Sequence, residues 1–193
     1  MDIKMFRSVG LPPRVAGKLL LHSMPGRFEA IEMFWRQLKS EAVGAIVCLT
    51  EEYEIRPKSS KYAEALEVPV ESESVLRTFL AGLGNNVAHA PASGTVPCSV
   101  LPFAVREGGV PEDRDAFWSL ANDIANRLRS GQAVLIHCAG GVGRTAMLAV
   151  SVLVALGEPM NEAESAVSRA GSTVETMPQM EMLSWCAARQ SLK

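Results

Sequence analysis

Residues 133–145, which read AVLIHCAGGVGRT, decide the fold and the chemistry of this chain. The apolar run at 133–136 is typical of a buried strand, and the apolar run that ends at residue 156 is typical of a buried helix beginning near Arg144. A strand-to-helix turn therefore carries the two reactive side chains of the stretch, Cys138 and Arg144.

Five residues, three of them glycine, separate Cys138 from Arg144. Glycine tolerates positive φ and lets the backbone approach a ligand closely, so the N–H groups of this turn can converge on one point. Such donors at a helix N-terminus bind a phosphate, and arginine adds a planar fork for two of its oxygens. The predicted phosphate-binding residues are Ala139, Gly140, Gly141, Val142, Gly143 and Arg144.

Cys138 would then lie beneath the phosphorus atom. The converging amides, the helix dipole and the guanidinium all favour negative charge on its sulfur, which predicts a nucleophilic thiolate at neutral pH. A buried inert cysteine beside a glycine turn is the simpler alternative. It accounts for Cys138 and leaves Arg144 in the same turn unexplained.

Two nucleotide-binding patterns compete for the same turn. Residues 141–146 fit the dinucleotide fingerprint G-x-G-x-x-A, but that fold needs a further strand and an acidic residue about 20 positions on. The chain after residue 146 is instead predicted to be helical. The Walker loop is excluded because the turn contains no Gly-Lys-Ser/Thr.

Composition indicates an ordinary globular protein. The chain has 193 residues, of which 48% are hydrophobic and 21% charged, and a formal net charge of −2 without blocks of like charge, so neither nucleic acid nor membrane is indicated as a partner. Four cysteines without a C-x-x-C pair suggest neither a zinc site nor a disulfide framework. Without a signal peptide or a long apolar run, we expect a cytoplasmic monomer.

Apolar patterning predicts a single α/β domain over residues 1–193, with 1–17 as an irregular N-terminal segment. We expect a central, mostly parallel sheet of about five strands with helices on both faces. The polar residues 50–61 are predicted to form a surface loop. Residues 72–98 are the segment in which the sequence indicates secondary structure least clearly. Strands are predicted at 18–23, 42–49, 66–71, 99–103 and 133–136, and helices at 27–39, 73–83, 112–129, 144–156, 161–171 and 178–190.

Residues 137–145 resemble the signature loop of the cysteine-dependent protein tyrosine phosphatases: His-Cys, five residues, Arg, then Ser or Thr. The resemblance implies that Cys138 forms a phosphocysteine intermediate and that Arg144 stabilises the transition state. It also implies that Thr145 donates a hydrogen bond to the leaving thiolate, with His137 as a supporting residue. No metal and no cofactor take part in such a reaction.

The resemblance extends to kinase-associated and other dual-specificity phosphatases, which carry Asp-Gly-Gly-x-Pro about 30 residues before the cysteine. Residues 107–111 match this segment, with Glu107 in the place of the aspartate and 31 residues before Cys138. We therefore predict that Glu107 protonates the leaving oxygen in the first step and activates water in the second, although a displacement of about 1 Å can cost about 100-fold in rate. Asp113 and then Asp115 are the alternatives, and both also suit the first turn of a helix.

The C-terminal residues Thr176, Gln179 and Leu183 have the Thr-x-x-Gln-x-x-x-Leu spacing of the kinase-associated type. Gln179 would orient water or cap the last helix. The Asn-Arg-Tyr motif of the large tyrosine-specific enzymes is missing, which favours a shallow pocket. The absence of lysine at 139–143 argues against phosphoinositides.

These features predict a protein phosphatase that acts on phosphotyrosine, and on phosphoserine and phosphothreonine as well, in phosphoproteins or phosphopeptides. One alternative is a phosphate-binding module with negligible turnover. A further alternative is arsenate reduction, which would require resolving cysteines; none lies near Cys138 in sequence.

Overall fold

The computed structural model describes residues 5–67 and 98–192. Within these ranges the chain forms five strands and seven helices. The strands are β1 (Arg7–Val9), β2 (Lys18–His22), β3 (Val43–Cys48), β4 (Ser99–Pro102) and β5 (Ala133–His137). The helices are α1 (Ile31–Ser40), α2 (Glu52–Lys58), α3 (Ser60–Glu67), α4 (Arg114–Arg129), α5 (Gly143–Ala155), α6 (Met160–Arg169) and α7 (Met177–Gln190).

The strands form one sheet in the order β1-β2-β5-β3-β4. β5 lies in the centre and pairs in parallel with β2 and β3, β4 continues the parallel set, and β1 is antiparallel at the edge. The predicted α/β fold with a mostly parallel five-stranded sheet is confirmed. Because parallel strands end at the same edge, the segments that follow β2, β3, β4 and β5 gather there.

Alternate side chains of the strands fill two hydrophobic cores. On one face, Leu19, Val134 and Ile136 pack with α4 and α5; on the other, Leu20 and Leu135 pack with α1 and α3. All thirteen residues of α5 are buried, which explains its continuous apolar sequence. No helix in the described ranges is both long and apolar enough to cross a membrane.

Two predicted segments differ from the structure in kind. Residues 7–9 form β1, not an irregular segment, because a three-residue edge strand is too short to produce a visible periodicity. The predicted surface loop at 50–61 is wrong: α2 and the start of α3 occupy it. Pro57 suggested a loop; it has no N–H to donate to the carbonyl of Tyr53, and α2 ends one residue after it.

Element boundaries also shift. The helix predicted at 27–39 begins at Ile31, and Phe28 precedes it as a 71% exposed side chain. Of the strand predicted at 66–71, the first two residues end α3, and the remainder lies outside the described residues. So do the helix predicted at 73–83 and the loop that follows it to residue 97. The helix predicted at 161–171 is α6, whose N-cap is Pro159, whereas the sequence pattern suggested Asn161 as the cap.

Gly17 provides a test of close backbone packing at the end of α4. A β-carbon added there would lie 2.5 Å from the carbonyl oxygen of Gln132 and 2.6 Å from that of Leu128. Since backbone carbonyls cannot swing aside, Gly17→Ala should lower the free energy of unfolding by about 1–3 kcal/mol in chemical denaturation. Gly10→Ala, whose β-carbon would meet nothing within 4 Å, is the matched control, and equal stabilities for the two variants would contradict this packing.

Candidate active site

The turn after β5 lies in the middle of the edge where the parallel strands end. Cys138 follows the last residue of β5, and Arg144 lies in the first turn of α5. Both side chains are 3% exposed. The helix that follows β3 contributes Glu54, and the loop that follows β4 contributes Glu107, so three segments meet around the signature turn.

The turn curls over the sulfur of Cys138. Gly141 has a φ of 72°, and its N–H donates a hydrogen bond to Cys138 Sγ at 3.2 Å. A β-carbon at this position would overlap the carbonyl of His22 and lie 2.8 Å from Nη2 of Arg7, so only glycine fits. The inward N–H is what a cradle for an anion above the sulfur requires.

Two side chains from outside the turn hold the carbonyl of Gly141. Nη2 of Arg7 donates to it at 2.5 Å, and the hydroxyl of Ser172 donates to it at 2.7 Å. In a trans peptide the carbonyl and the following N–H point in opposite directions. The two hydrogen bonds to the carbonyl of Gly141 therefore direct the N–H of Val142 away from Arg7 and Ser172. No sequence pattern indicates Arg7 or Ser172, because their partner is a backbone atom far away in the chain.

Glu54 and Arg144 form a buried, bidentate ion pair. Nη1 of Arg144 donates to Oε1 of Glu54 at 2.7 Å, and Nη2 donates to Oε2 at 3.2 Å. Nη1 also donates to the carbonyl oxygen of Val105 at 2.8 Å. Among the described residues, the Nε–H and the second Nη2 hydrogen have no acceptor, and they form a second fork that fits two phosphate oxygens.

The ion pair keeps both groups charged. Burial would raise the pKa of Glu54, but hydrogen bonds from Arg144 and Lys58 outweigh it and lower that pKa to about 2. Burial lowers the pKa of Arg144, yet the hydrogen bonds with Glu54 and the nearby Cys138 raise it above its ordinary value. Sequence reasoning missed Glu54; the available signal was its i,i+4 spacing to Lys58 on one helix.

Glu107 lies at the start of a tight turn in the loop after β4. Its side chain is 71% exposed, and Oε2 lies 3.7 Å from Nζ of Lys58. The turn has Gly108 at a φ of 70°. The hydroxyl of Thr176 donates to the carbonyl of Gly108 at 3.0 Å, and Nε2 of Gln179 donates to that of Gly109 at 3.2 Å. The start of α7 thus forms two hydrogen bonds with the loop that carries Glu107.

Gln179 connects two segments beside the signature turn. Its buried side chain accepts the N–H of Glu175 at 2.9 Å through Oε1, in addition to the contact with Gly109. The same Oε1 would lie 3.1 Å from a β-carbon on Gly143. Thr176, not Gln179, caps α7 with its side chain.

The two alternative acids have other contacts. Asp113 is the N-cap of α4 and accepts the N–H of Ala116 at 2.9 Å. Asp115 pairs with Arg189 at 2.7 Å, and both of these side chains are well exposed. Their carboxylates therefore stabilise α4 and link it to α7.

His137 and Thr145 flank the reactive pair in sequence. The imidazole of His137 is fully buried and lies 2.9 Å from the hydroxyl of Tyr62 through Nε2. Burial lowers the pKa of His137 to about 3, so the ring is neutral at physiological pH. The buried hydroxyl of Thr145 has no hydrogen-bond partner in the described ranges, and the bond to Cys138 that the resemblance implies is not formed here.

A groove of about 510 Å³ borders the turn at Gly140. It combines polar and apolar side chains, including Arg7, His22, Phe28 and Met33. His22 is not free in this groove, because it pairs with Glu29 at 3.2 Å. Within the described ranges, no group of three or more His, Cys, Asp and Glu side chains is arranged to hold a metal ion.

Comparisons with known proteins agree with this site. The family model described as cyclin-dependent kinase inhibitor 3 (CDKN3) matches residues 98–166, which include Glu107 and the signature turn. The rat protein cyclin-dependent kinase inhibitor 3 is 28% identical over 83 residues, 41% of this chain and 39% of that protein. The chain thus matches well under half of the length of this relative.

Solved structures share the fold. Kinase associated phosphatase, with its catalytic cysteine replaced by serine, is 16% identical with a TM-score of 0.69, over 97% of this chain and 96% of that one. Human DUSP28 is 17% identical with a TM-score of 0.58, over 96% and 99%. The signature turn, the partial family match and the shared fold together make this chain similar to the dual-specificity phosphatases of the protein tyrosine phosphatase superfamily.

Proposed function

We propose that this protein is a phosphatase that hydrolyses phosphate monoesters of proteins through a cysteinyl-phosphate intermediate. The observation that carries the proposal is the arrangement around one sulfur atom. The N–H of Gly141 points at Cys138 Sγ, while Glu54 holds Arg144 so that one fork of its guanidinium is left for phosphate.

In the first step the thiolate of Cys138 attacks phosphorus, the S–P bond forms and the bond to the leaving oxygen breaks. The loop amides and the second fork of Arg144 stabilise the charge on the equatorial oxygens. Glu107 gives its proton to the leaving oxygen. Because its side chain is 71% exposed, we expect its loop to move towards the cradle when substrate binds.

In the second step water attacks phosphorus, the S–P bond breaks and a carboxylate beside the cradle accepts the proton of the water. Cys138 returns to its thiolate form and inorganic phosphate leaves. The substrate is proposed to be a phosphotyrosine-containing protein, with phosphoserine and phosphothreonine also accepted. The kinase-associated name of a structural neighbour supports a phosphoprotein rather than a small metabolite.

A phosphate-binding module without turnover is the second candidate. It is favoured by one feature, the exposed Glu107 in the position where dual-specificity phosphatases carry aspartate. Such a module would keep the cradle and lose the proton donor.

Replacement of the nucleophile separates the two candidates. The wild type should hydrolyse p-nitrophenyl phosphate, and Cys138→Ser should reduce kcat by more than about 1,000-fold because no thiolate remains. Cys98→Ser, at another free cysteine, is the matched control and should leave kcat unchanged. Tight binding of a phosphopeptide by a wild type that shows no turnover would favour the binding module.

The role of Glu107 as general acid is tested by how kcat/KM depends on the leaving group of the substrate. Glu107→Gln should lower kcat/KM by about 100-fold or more for an alkyl phosphate, which needs a proton, and far less for p-nitrophenyl phosphate. Asp113→Asn should retain activity on both substrates, with only a small change in stability from its helix cap. An unaltered rate of Glu107→Gln on the alkyl ester would transfer the acid role to Asp113.

Glu54 is expected to act by positioning Arg144. Glu54→Gln should lower kcat/KM by about 100-fold, because a misplaced guanidinium no longer follows the transferring phosphoryl group, and should weaken vanadate binding. Glu52→Gln, an exposed acid on the same helix, should change neither quantity. Equal vanadate affinity in both variants would show that the ion pair does not position Arg144.

A further inference from the structure

A second carboxylate lies against the signature turn. A β-carbon added to Gly143 would overlap Oε2 of Glu175 and lie 3.0 Å from its Cδ. The carboxyl group of Glu175 therefore occupies the space that glycine leaves open at position 143. Gly143 is buried and belongs to the turn that forms the cradle, whereas Glu175 is exposed and in contact with solvent.

Two contacts hold the backbone around Glu175 in place, one made by Glu175 with Gln179 and the other made by its neighbour Thr176. The N–H of Glu175 donates to Oε1 of the buried Gln179 at 2.9 Å. Thr176 caps α7 and donates to the carbonyl of Gly108 at 3.0 Å. These contacts attach the backbone around Glu175 to α7 and to the loop that carries Glu107.

No cation in the described ranges forms an ion pair with the carboxylate of Glu175. A negative charge beside a cradle for a dianionic phosphate opposes binding through Coulomb repulsion. The carboxylate is exposed and lies against the turn that forms the cradle, and a group that transfers protons must be open to water and within reach of the reacting atoms.

We propose that Glu175 is the base that activates water for hydrolysis of the cysteinyl-phosphate, while Glu107 serves the formation of that intermediate. The inference rests on the proposed phosphatase function. In this step the water oxygen bonds to phosphorus, the S–P bond breaks and its electron pair returns to Cys138. The proton of the water passes to Glu175, which releases it to solvent.

The separate roles proposed for Glu107 and Glu175 follow from the positions of the two side chains. Glu107 lies on the loop after β4, next to Lys58, and reaches the cradle when that loop moves. Glu175 already lies against the turn, on the segment that Gln179 anchors. A base in that position is available after the leaving group has departed, because the hydrogen bond from its N–H to Gln179 holds its backbone beside the signature turn.

Rapid-quench kinetics with p-nitrophenyl phosphate test the proposal. Glu175→Gln should keep the burst of nitrophenol at the wild-type rate while steady-state turnover falls by about 100-fold. Phosphocysteine should then accumulate and be detected by intact mass after acid quench. Glu181→Gln, an exposed acid on the same α7, is the control and should show the wild-type burst and turnover.

A second variant moves the carboxylate without removing it. Gly143→Ala would push the side chain of Glu175 away from the turn and should also accumulate phosphocysteine. Wild-type turnover in Glu175→Gln, or a burst slowed as much as turnover, would overturn the role of Glu175 and leave the phosphatase function intact. A wild type with neither burst nor turnover would instead contradict the phosphatase function itself.

Discussion

The buried ion pair between Arg144 and Glu54 is the interaction on which the arrangement of this site depends. It joins α5 to α2, and the additional hydrogen bond to the carbonyl of Val105 joins both to the segment after β4. Burying two charges costs much of what their attraction provides, and a pair of this kind often contributes little net stability. Its value here is orientation, because a guanidinium fixed along one edge presents the other edge in a defined direction.

The centre of the fold follows from the sequence because its signals are long and continuous. β5 and α5 are buried on all sides, so their apolar runs leave few alternatives. β1 and α2 could not be predicted in the same way, since three and seven residues carry too little periodicity. α2 is also stabilised by Glu54 contacting a residue 90 positions away, which no local pattern records.

The candidate site likewise contains residues that a local pattern predicts and residues that only long-range contacts bring to the site. The signature turn is contiguous, so its spacing alone indicated both the nucleophile and the anion cradle. Arg7 and Ser172 hold the carbonyl of Gly141 from 134 and 31 residues away, and only the tertiary structure brings them together. Gln179 was identified by resemblance, but its contacts give it a bridging position that the sequence did not specify.

Burial distinguishes the three carboxylates around the cradle. Glu54 is 3% exposed and its pKa is lowered to about 2, so it stays ionised and exchanges no proton at neutral pH. Glu107 and Glu175 face solvent and can exchange protons with it. A buried acid suits a fixed counter-charge, and exposed acids suit proton transfer, because only the latter can be recharged from water in every cycle. Solvent access therefore favours the proposed roles, in which Glu54 positions Arg144 and the other two acids take part in the chemical steps.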